Sequence, residues 1–159
     1  MTDLRIEQLG RAPLNLLELW GNPQAAAKRI AKALGHELPR SGRAEGAVLR
    51  LSPTTWLVEG DVATLKTALG VGGALTAVGG GLIRLRLSGP KWRSLLMEGG
   101  LFDAESAQFA AGCVATTLIE HVTVTLRVES EATCLAYVPA SHAEDLLNFW
   151  TISAGGLPQ

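Results

Sequence analysis

Aromatic residues and histidines are scarce in this 159-residue sequence. Phe, Trp and Tyr together make up 5% of it, and histidine occurs three times. The apolar fraction is nevertheless 47%, so alanine, leucine, valine and glycine must fill most of any core. A chain of this length is long enough to bury a substantial core, and we expect a single domain that spans residues 1–152.

An excess of charge of one sign and long apolar runs are lacking as well. Lys and Arg number 14 against 15 Asp and Glu, which argues against a nucleic-acid-binding protein, because such a protein needs a basic stripe. No stretch approaches the roughly 18 apolar residues of a membrane-spanning helix. The first ten residues, MTDLRIEQLG, lack the basic-then-apolar pattern of a signal peptide. We therefore expect a cytoplasmic protein that binds neither nucleic acid nor membrane.

Clustered metal ligands and catalytic motifs are also missing. Cys113 and Cys134 lie far apart in strand-like runs, and we expect both to be reduced core residues rather than a disulfide. His36, His121 and His142 are scattered, and no C-x-x-C or H-x-x-x-H spacing occurs. A nucleophilic pair of Cys113 with His121 is disfavoured, because no basic or helix-end environment is present to lower the pKa of the thiol.

The glycines of GVGGALTAVGGG, residues 70–81, invite comparison with a phosphate-binding loop. Both standard nucleotide-binding loops follow a strand and precede a helix. Here a predicted helix precedes and a predicted strand follows, and no Gly-Lys-Ser/Thr occurs, so we interpret these glycines as flexible turns. The residues therefore predict no catalytic, cofactor-binding or metal site in this chain.

Apolar periodicity predicts the order strand, helix, two strands, helix, strand, helix, three strands and helix. The first helix should begin after Asn22 as N-cap, with Pro23 in its first turn, and end at Gly35. Hairpins outnumber crossovers, and strands such as 122–129 alternate strictly between apolar and polar residues. This favours an α+β fold in which helices pack on one face of a mostly antiparallel sheet.

The end of the chain is predicted to be a helix with a disordered tail. Ser141 and Glu144 have the spacing of a capping box, in which each side chain satisfies a backbone N–H of the other residue. Residues 153–159, SAGGLPQ, are predicted to be disordered.

Some side chains are left over once the apolar stripes of the helices and strands are assigned to the core. Such residues are candidates for a partner interface, since Trp and Arg often contribute most to binding energy. The candidates are Trp20, the outward pair Arg84 and Arg86, and Phe149 with Ile152.

Several motifs, taken in order, resemble those of a known family. They comprise a strand with Ser-Gly-Pro, a Leu-Leu helix, Gly-Gly-Leu-Phe-Asp and a Gly-Cys strand. As they stand here they are Leu85-Arg86-Leu87-Ser88-Gly89-Pro90, Leu95-Leu96, Gly99-Gly100-Leu101-Phe102-Asp103, Phe109, Gly112-Cys113 and Thr116-Thr117-Leu118. The hairpin AVLRLSPTTWLVEG (47–60) and the ending AYVPASHAEDLLNFW (136–150) agree as well. Over residues 14–150 the sequence resembles the gamma subunit of heterotetrameric sarcosine oxidase.

This resemblance implies a fold and a role. The fold is a reduced version of the folate-binding domain of aminomethyltransferases such as the glycine-cleavage T-protein. The role is that of a gamma subunit that carries no cofactor and assembles with alpha, beta and delta subunits. Those subunits carry FAD, FMN, NAD and zinc, oxidatively demethylate sarcosine and pass the one-carbon unit to tetrahydrofolate.

One segment departs from the family pattern. Where the family has an Asp-x-Ser-His-like segment before the Arg-Leu-Arg strand, this sequence reads TAVGGG, residues 76–81. An acid there would favour the alternative function, a free-standing folate-binding or aminomethyltransferase-like module. A structural adaptor for another amine-oxidising assembly is a third interpretation.

Overall fold

The structure, a computed structural model, describes residues 4–157 and is an α+β fold, as the sequence predicts. All strand pairings that it shows are antiparallel. The strands are β1 (Arg5–Gln8), β2 (Leu14–Leu19), β3 (Ala44–Glu45), β4 (Val48–Ser52), β5 (Thr55–Glu59), β6 (Gly73–Ala77), β7 (Leu82–Ser88), β8 (Val114–Ile119), β9 (Val122–Ser130) and β10 (Thr133–Pro139). The helices are α1 (Pro23–Leu34), α2 (Ala63–Leu69), α3 (Trp92–Met97) and α4 (Ala143–Gly156).

The chain divides into two compact units, each with its own five-stranded sheet. The first unit contains residues 4–11 and 80–157, and its sheet has the order β1-β7-β10-β9-β8. The second unit contains residues 12–79, and its sheet has the order β3-β4-β5-β2-β6. The sequence indicated one sheet, because it contains no clear sign of the short strands β1 and β3 or of β6 in the glycine-rich segment. The assignment of residues 1–152 to one functional domain stays a prediction.

In the first unit, α3 and α4 cover one face of the sheet. The strict alternation along β9 buries Val122, Val124, Leu126 and Val128, as predicted. They pack in one cluster with Trp92 and Leu95 of α3 and with Leu146 and Trp150 of α4. The indole N–H of Trp92 donates to the carbonyl oxygen of Glu131, at 2.9 Å, which joins α3 to the turn between β9 and β10.

In the second unit, α1 and α2 pack on the sheet formed by β2, β4 and β5. Asn22 caps α1 as predicted, since its side chain accepts a hydrogen bond from the backbone N–H of Ala25 at 3.3 Å. Gly35 ends the helix with φ 80°, a left-handed conformation that favours glycine. The guanidinium of Arg29 donates to the carbonyl oxygen of Ala68 at 2.9 Å and so ties α1 to the end of α2.

Glu120 and His121 form a two-residue hairpin turn between β8 and β9. Both residues have positive φ, 47° and 67°, the combination that a type I′ turn requires. Neither residue is a glycine, so the turn stores some backbone strain, which the long β8–β9 ladder holds in place.

Two predictions for the end of the chain are wrong. Residues 140–142 form a 3₁₀ turn, and α4 begins only at Ala143. Glu144 therefore lies one position too early in the helix to close a capping box with Ser141. The helix also runs to Gly156 through most of the predicted disordered tail, because Ala154 and Leu157 pack against the core of the first unit. Pro158 and Gln159 lie outside the described residues.

Trp92→Ala should lower the free energy of unfolding by about 3–5 kcal/mol, since it empties a large buried site and removes a hydrogen bond. Urea unfolding followed by circular dichroism measures this change. Ile152→Ala, at an exposed site on α4, is the control and should change the free energy by no more than about 0.5 kcal/mol. Equal stabilities of the two variants would contradict the packing of α3 described above.

Gly73→Ala should also destabilise the protein, by about 1–3 kcal/mol, because a Cβ at this position would collide with the backbone carbonyl of Glu18 across the β2–β6 pairing. Gly80→Ala is the matched control, since open space surrounds that glycine. We expect it to be neutral within about 0.5 kcal/mol. A neutral Gly73→Ala in the same urea measurement would show that β6 does not pair with β2 as described.

Candidate partner interface

Trp20, the first candidate interface residue, lies directly after β2 in the second unit and is 52% exposed. Its indole N–H donates to the carbonyl oxygen of Val71 at 3.1 Å, and its backbone N–H donates to that of Gly72 at 3.0 Å. The side chain of Val71 beside it is also exposed. Trp20 therefore presents an apolar ring that is already held in one orientation.

Arg84 and Arg86 lie side by side on β7 of the first unit, on the face opposite the buried Leu85 and Leu87, as predicted. Both are half-buried and bonded within their own unit. Arg84 donates to the carbonyl oxygen of Gly10 at 2.8 Å, and Arg86 forms an ion pair with Glu129 at 3.3 Å. Their role in a partner interface stays a prediction, but binding would have to compete with these internal contacts.

Phe149 and Ile152, the last two candidates, lie one turn apart on α4. Phe149 is half-buried against the core of the first unit, whereas Ile152 is 78% exposed. Within the first unit, the structure thus places Arg84 beside Arg86, and Phe149 one turn from Ile152.

Three exposed apolar residues of the first unit were missed by the sequence patterns. Met97 ends α3, Leu101 follows the pair Gly99-Gly100, and Leu118 lies on the edge strand β8. Leu101 is 89% exposed. It lies outside every helix and strand, so no apolar periodicity could assign it to a face. The only signal was a large apolar residue directly after two glycines.

The two cysteines are free thiols with different surroundings. Cys134 is buried in the core of the first unit, and this burial raises the pKa of its thiol from 9.0 to about 12. Cys113 is half-buried, and its thiol donates to the carbonyl oxygen of Gln108 at 3.1 Å. Burial thus keeps Cys134 in the unreactive neutral form over the whole physiological pH range.

Surface clefts in the two units have mixed charge. The cleft of the second unit, about 320 Å³, is lined by charges of both signs, Glu37, Arg40, Arg43 and Glu45, together with His36, Leu38, Pro39 and Ala44. The cleft of the first unit, about 430 Å³, is lined by Arg93, Glu105, Ser106, Ala107, Ala110, Ala111 and Glu131. The guanidinium of Arg93 in this lining already donates to two carbonyl oxygens, those of Ala104 and Phe109. Neither lining selects an ion of one sign.

Within residues 4–157, no group of three or more His, Cys, Asp or Glu side chains is placed to share a metal ion. The same part of the chain contains no helix with the length and apolar character that a membrane crossing requires.

The glycine-rich segment does not form a phosphate-binding loop. Residues 73–77 are strand β6, which pairs with β2, and residues 78–81 connect it to β7. No helix begins at these glycines, and a helix N-terminus is what both standard nucleotide loops use to bind phosphate.

A strong match is found among solved structures. A chain of the heterotetrameric sarcosine oxidase from Corynebacterium sp. U-96, solved in complex with pyrrole 2-carboxylate, superimposes with a TM-score of 0.86. The match covers 96% of this chain and 84% of that chain at 20% sequence identity. The two chains share a fold. The sequence itself matches no family model and no curated protein.

Two further solved structures are similar at a much lower level. They are the regulatory subunits of aspartate kinase from Thermus thermophilus, in its ligand-free form, and from Thermus flavus. Their TM-scores are 0.48 and 0.44, their identities 19% and 13%, and each match covers 96% of this chain and 97% of the other. Scores at this level do not indicate a common fold.

The difference between the thiols gives a pH-dependent prediction. In the native protein at pH 8, iodoacetamide should modify Cys113 and leave Cys134 unmodified, whereas both should react in urea. The folded state holds the proton of Cys134 up to about pH 12. Above pH 9 the unfolded state therefore binds fewer protons than the folded state, and the free energy of unfolding should fall as the pH rises. Mass spectrometry of the labelled peptides shows which of the two thiols iodoacetamide has modified. Modification of Cys134 in the native protein at the rate of Cys113 would show that the core opens readily.

Proposed function

We propose that this chain is a gamma-type, non-catalytic subunit of a sarcosine-oxidase-like complex. The observation that carries the proposal is the shared fold, with a TM-score of 0.86 over 96% of the chain. The family motifs in the sequence support the same assignment independently of the fold, since they occur in order along both units.

The structure gives these motifs a structural role. Gly89 of the Ser-Gly-Pro motif makes the turn from β7 into α3, and its backbone N–H donates to the carbonyl oxygen of Ala132 at 3.0 Å. In the Gly-Gly-Leu-Phe-Asp motif, Phe102 packs edge-on against Phe109 with the ring centroids 4.7 Å apart, while Leu101 is exposed. The motifs thus fix the fold and display an apolar side chain, as a subunit made for assembly requires.

In the proposed complex this chain has a structural role in assembly, and the other subunits perform the chemistry. Alpha- and beta-type subunits would carry FAD, FMN and NAD, and a delta-type subunit would carry zinc. Together they would demethylate sarcosine oxidatively and transfer the one-carbon unit to tetrahydrofolate. This chain would bind none of these cofactors.

The alternative, a free-standing folate-binding module, has less support from the residues. Strand β6 ends at Ala77, and the connection to β7 contains only Val78 and three glycines before Leu82. This segment has neither the carboxylate nor the imidazole that the family pattern places there. A pterin would find no polar side chain along residues 78–81, and only backbone groups could form hydrogen bonds with it.

Co-expression with the flavin-bearing alpha- and beta-type subunits of a sarcosine oxidase tests the proposal. We expect the chain to co-purify with them, and the assembly to release formaldehyde from sarcosine. The chain alone should be inactive. Turnover of sarcosine or a folate substrate by the chain alone would contradict the accessory role. Flavin subunits that assemble and work equally well without the chain would contradict the assembly role.

A further inference from the structure

Three of the exposed apolar residues of the first unit lie on elements that contact one another, the segment 97–101 and helix α4. Of the large apolar side chains exposed in residues 4–157, those of the first unit are Met97, Leu101, Leu118 and Ile152. Met97, Leu101 and Ile152, together with the half-buried Phe149, are called here the Leu101 surface. Leu118 pairs with Thr123 on the sheet face opposite the buried Ile119 and Val122, so it is not part of this surface. The other two, Trp20 and Val71, belong to the second unit.

Contacts of the two glycines show that the elements carrying the Leu101 surface adjoin one another. Gly100 pairs antiparallel with Ile119, and the backbone N–H of Glu120 donates to the carbonyl oxygen of Gly99 at 3.0 Å. These two contacts hold the start of the segment after α3 against the end of β8.

Gly99 also links this segment to α4. A Cβ added to Gly99 would lie 2.8 Å from Cζ of Phe149, so the ring of Phe149 rests against the glycine. Ile152 lies three residues further along the same helix, hence on the neighbouring turn of the same face. Segment 97–101, the edge strand β8 and helix α4 therefore adjoin one another.

The charges around the Leu101 surface are mostly negative. Arg93, one turn before Met97 on α3, is positive, but its guanidinium is already bonded to the carbonyl oxygens of Ala104 and Phe109. Glu98 directly precedes Gly99, and Asp103 follows Leu101 by two residues. The carboxylate of Glu120 lies next to Gly99, since a Cβ added to this glycine would be 2.6 Å from Oε1 of Glu120. No Lys or Arg occurs between Arg93 and Arg127. The near-zero net charge of the whole sequence therefore conceals an uneven distribution of charge along the chain. The sequence after Arg93 contains one Arg and eight acids: Glu98, Asp103, Glu105, Glu120, Glu129, Glu131, Glu144 and Asp145.

This charge pattern discriminates between occupants of the surface. An anionic membrane or a nucleic acid would be repelled by the carboxylates. A second copy related by twofold symmetry would set the same carboxylates against each other. The complementary occupant is a different protein, with an apolar centre and Lys or Arg side chains at its rim.

We infer that the Leu101 surface is the docking site of this chain for a larger subunit whose matching surface is apolar at its centre and basic at its rim. The inference rests on the proposed function only for the identity of that subunit, the flavin-bearing one. Leu101 and Ile152 are the central contacts. The surrounding carboxylates accelerate encounter and orient the partner.

Polar substitution of the surface without a change of charge tests this inference. The double variant Leu101→Gln/Ile152→Gln replaces two exposed side chains, so the fold should be unaffected, which urea unfolding checks. Affinity for the purified flavin subunits should fall about 30-fold or more, as for loss of interface hot spots. Val71→Gln is the matched control: it alters an equally exposed apolar residue of the second unit, and it should bind like wild type.

A salt titration tests the charge component. Association of the wild-type chain should slow as NaCl rises from about 0.05 to about 0.5 M, because the added ions screen the carboxylates from the basic rim. Glu98→Lys should slow it further at low salt. Association rates that do not depend on salt would contradict the basic rim.

The outcomes separate this inference from the proposed function. If wild type binds the flavin subunits and the double Gln variant binds equally well, the surface is wrong and the function stands. Binding lost only with Val71→Gln would move the interface to the second unit and overturn the inference.

If wild type does not bind the flavin subunits, the proposed function fails, and Leu101→p-benzoylphenylalanine then tests the surface by photo-crosslinking in cells. A crosslink from position 101 to an apolar segment of another protein that is flanked by Lys or Arg would support the surface, if the same photoreactive residue in place of Val71 gives no such crosslink. A crosslink to a second copy, or none at all, would overturn it.

Discussion

The burial of Trp92 is the interaction on which the first unit depends. Its indole fills the space between α3 and the sheet, and its N–H satisfies a carbonyl oxygen in the β9–β10 turn. The guanidinium of Arg93 lies 4.3 Å from the centre of the same ring and donates to the carbonyl oxygens of Ala104 and Phe109. One tryptophan and its neighbour therefore hold a helix, a turn and the irregular segment after the helix. A charged group over an aromatic face adds to this stability.

This anchoring explains how an exposed loop can present a defined surface. The segment 98–113 has little regular structure, but Arg93 holds it at Ala104 and Phe109, and Gly100 pairs with β8. Phe102 turns inward onto Phe109 while Leu101 points to solvent. A side chain displayed on a segment that is already ordered loses little conformational entropy on binding.

The low sequence identity to the sarcosine oxidase chain has a physical meaning. At 20% identity the fold is retained, because the core tolerates exchange of apolar residues of similar volume and because turns need glycine only where φ is positive. Surface residues are free of these constraints. A shared fold therefore leaves the binding properties of this chain to be inferred from its own surface, from its exposed apolar side chains and the sign of the charges around them.

The sequence by itself determined the α+β class, most helices and strands, the Asn22 cap and Gly35 end of α1, and the alternating buried face of β9. These features follow from local periodicity, capping and turn residues, which act over a few positions. Only the tertiary structure decided the division into two sheets, the pairing of the glycine-rich β6 and the continuation of α4 to Gly156. It also decided the position of Leu101. Each of these depends on contacts between residues distant in the chain, and an irregular segment has no period from which its exposed face could be predicted.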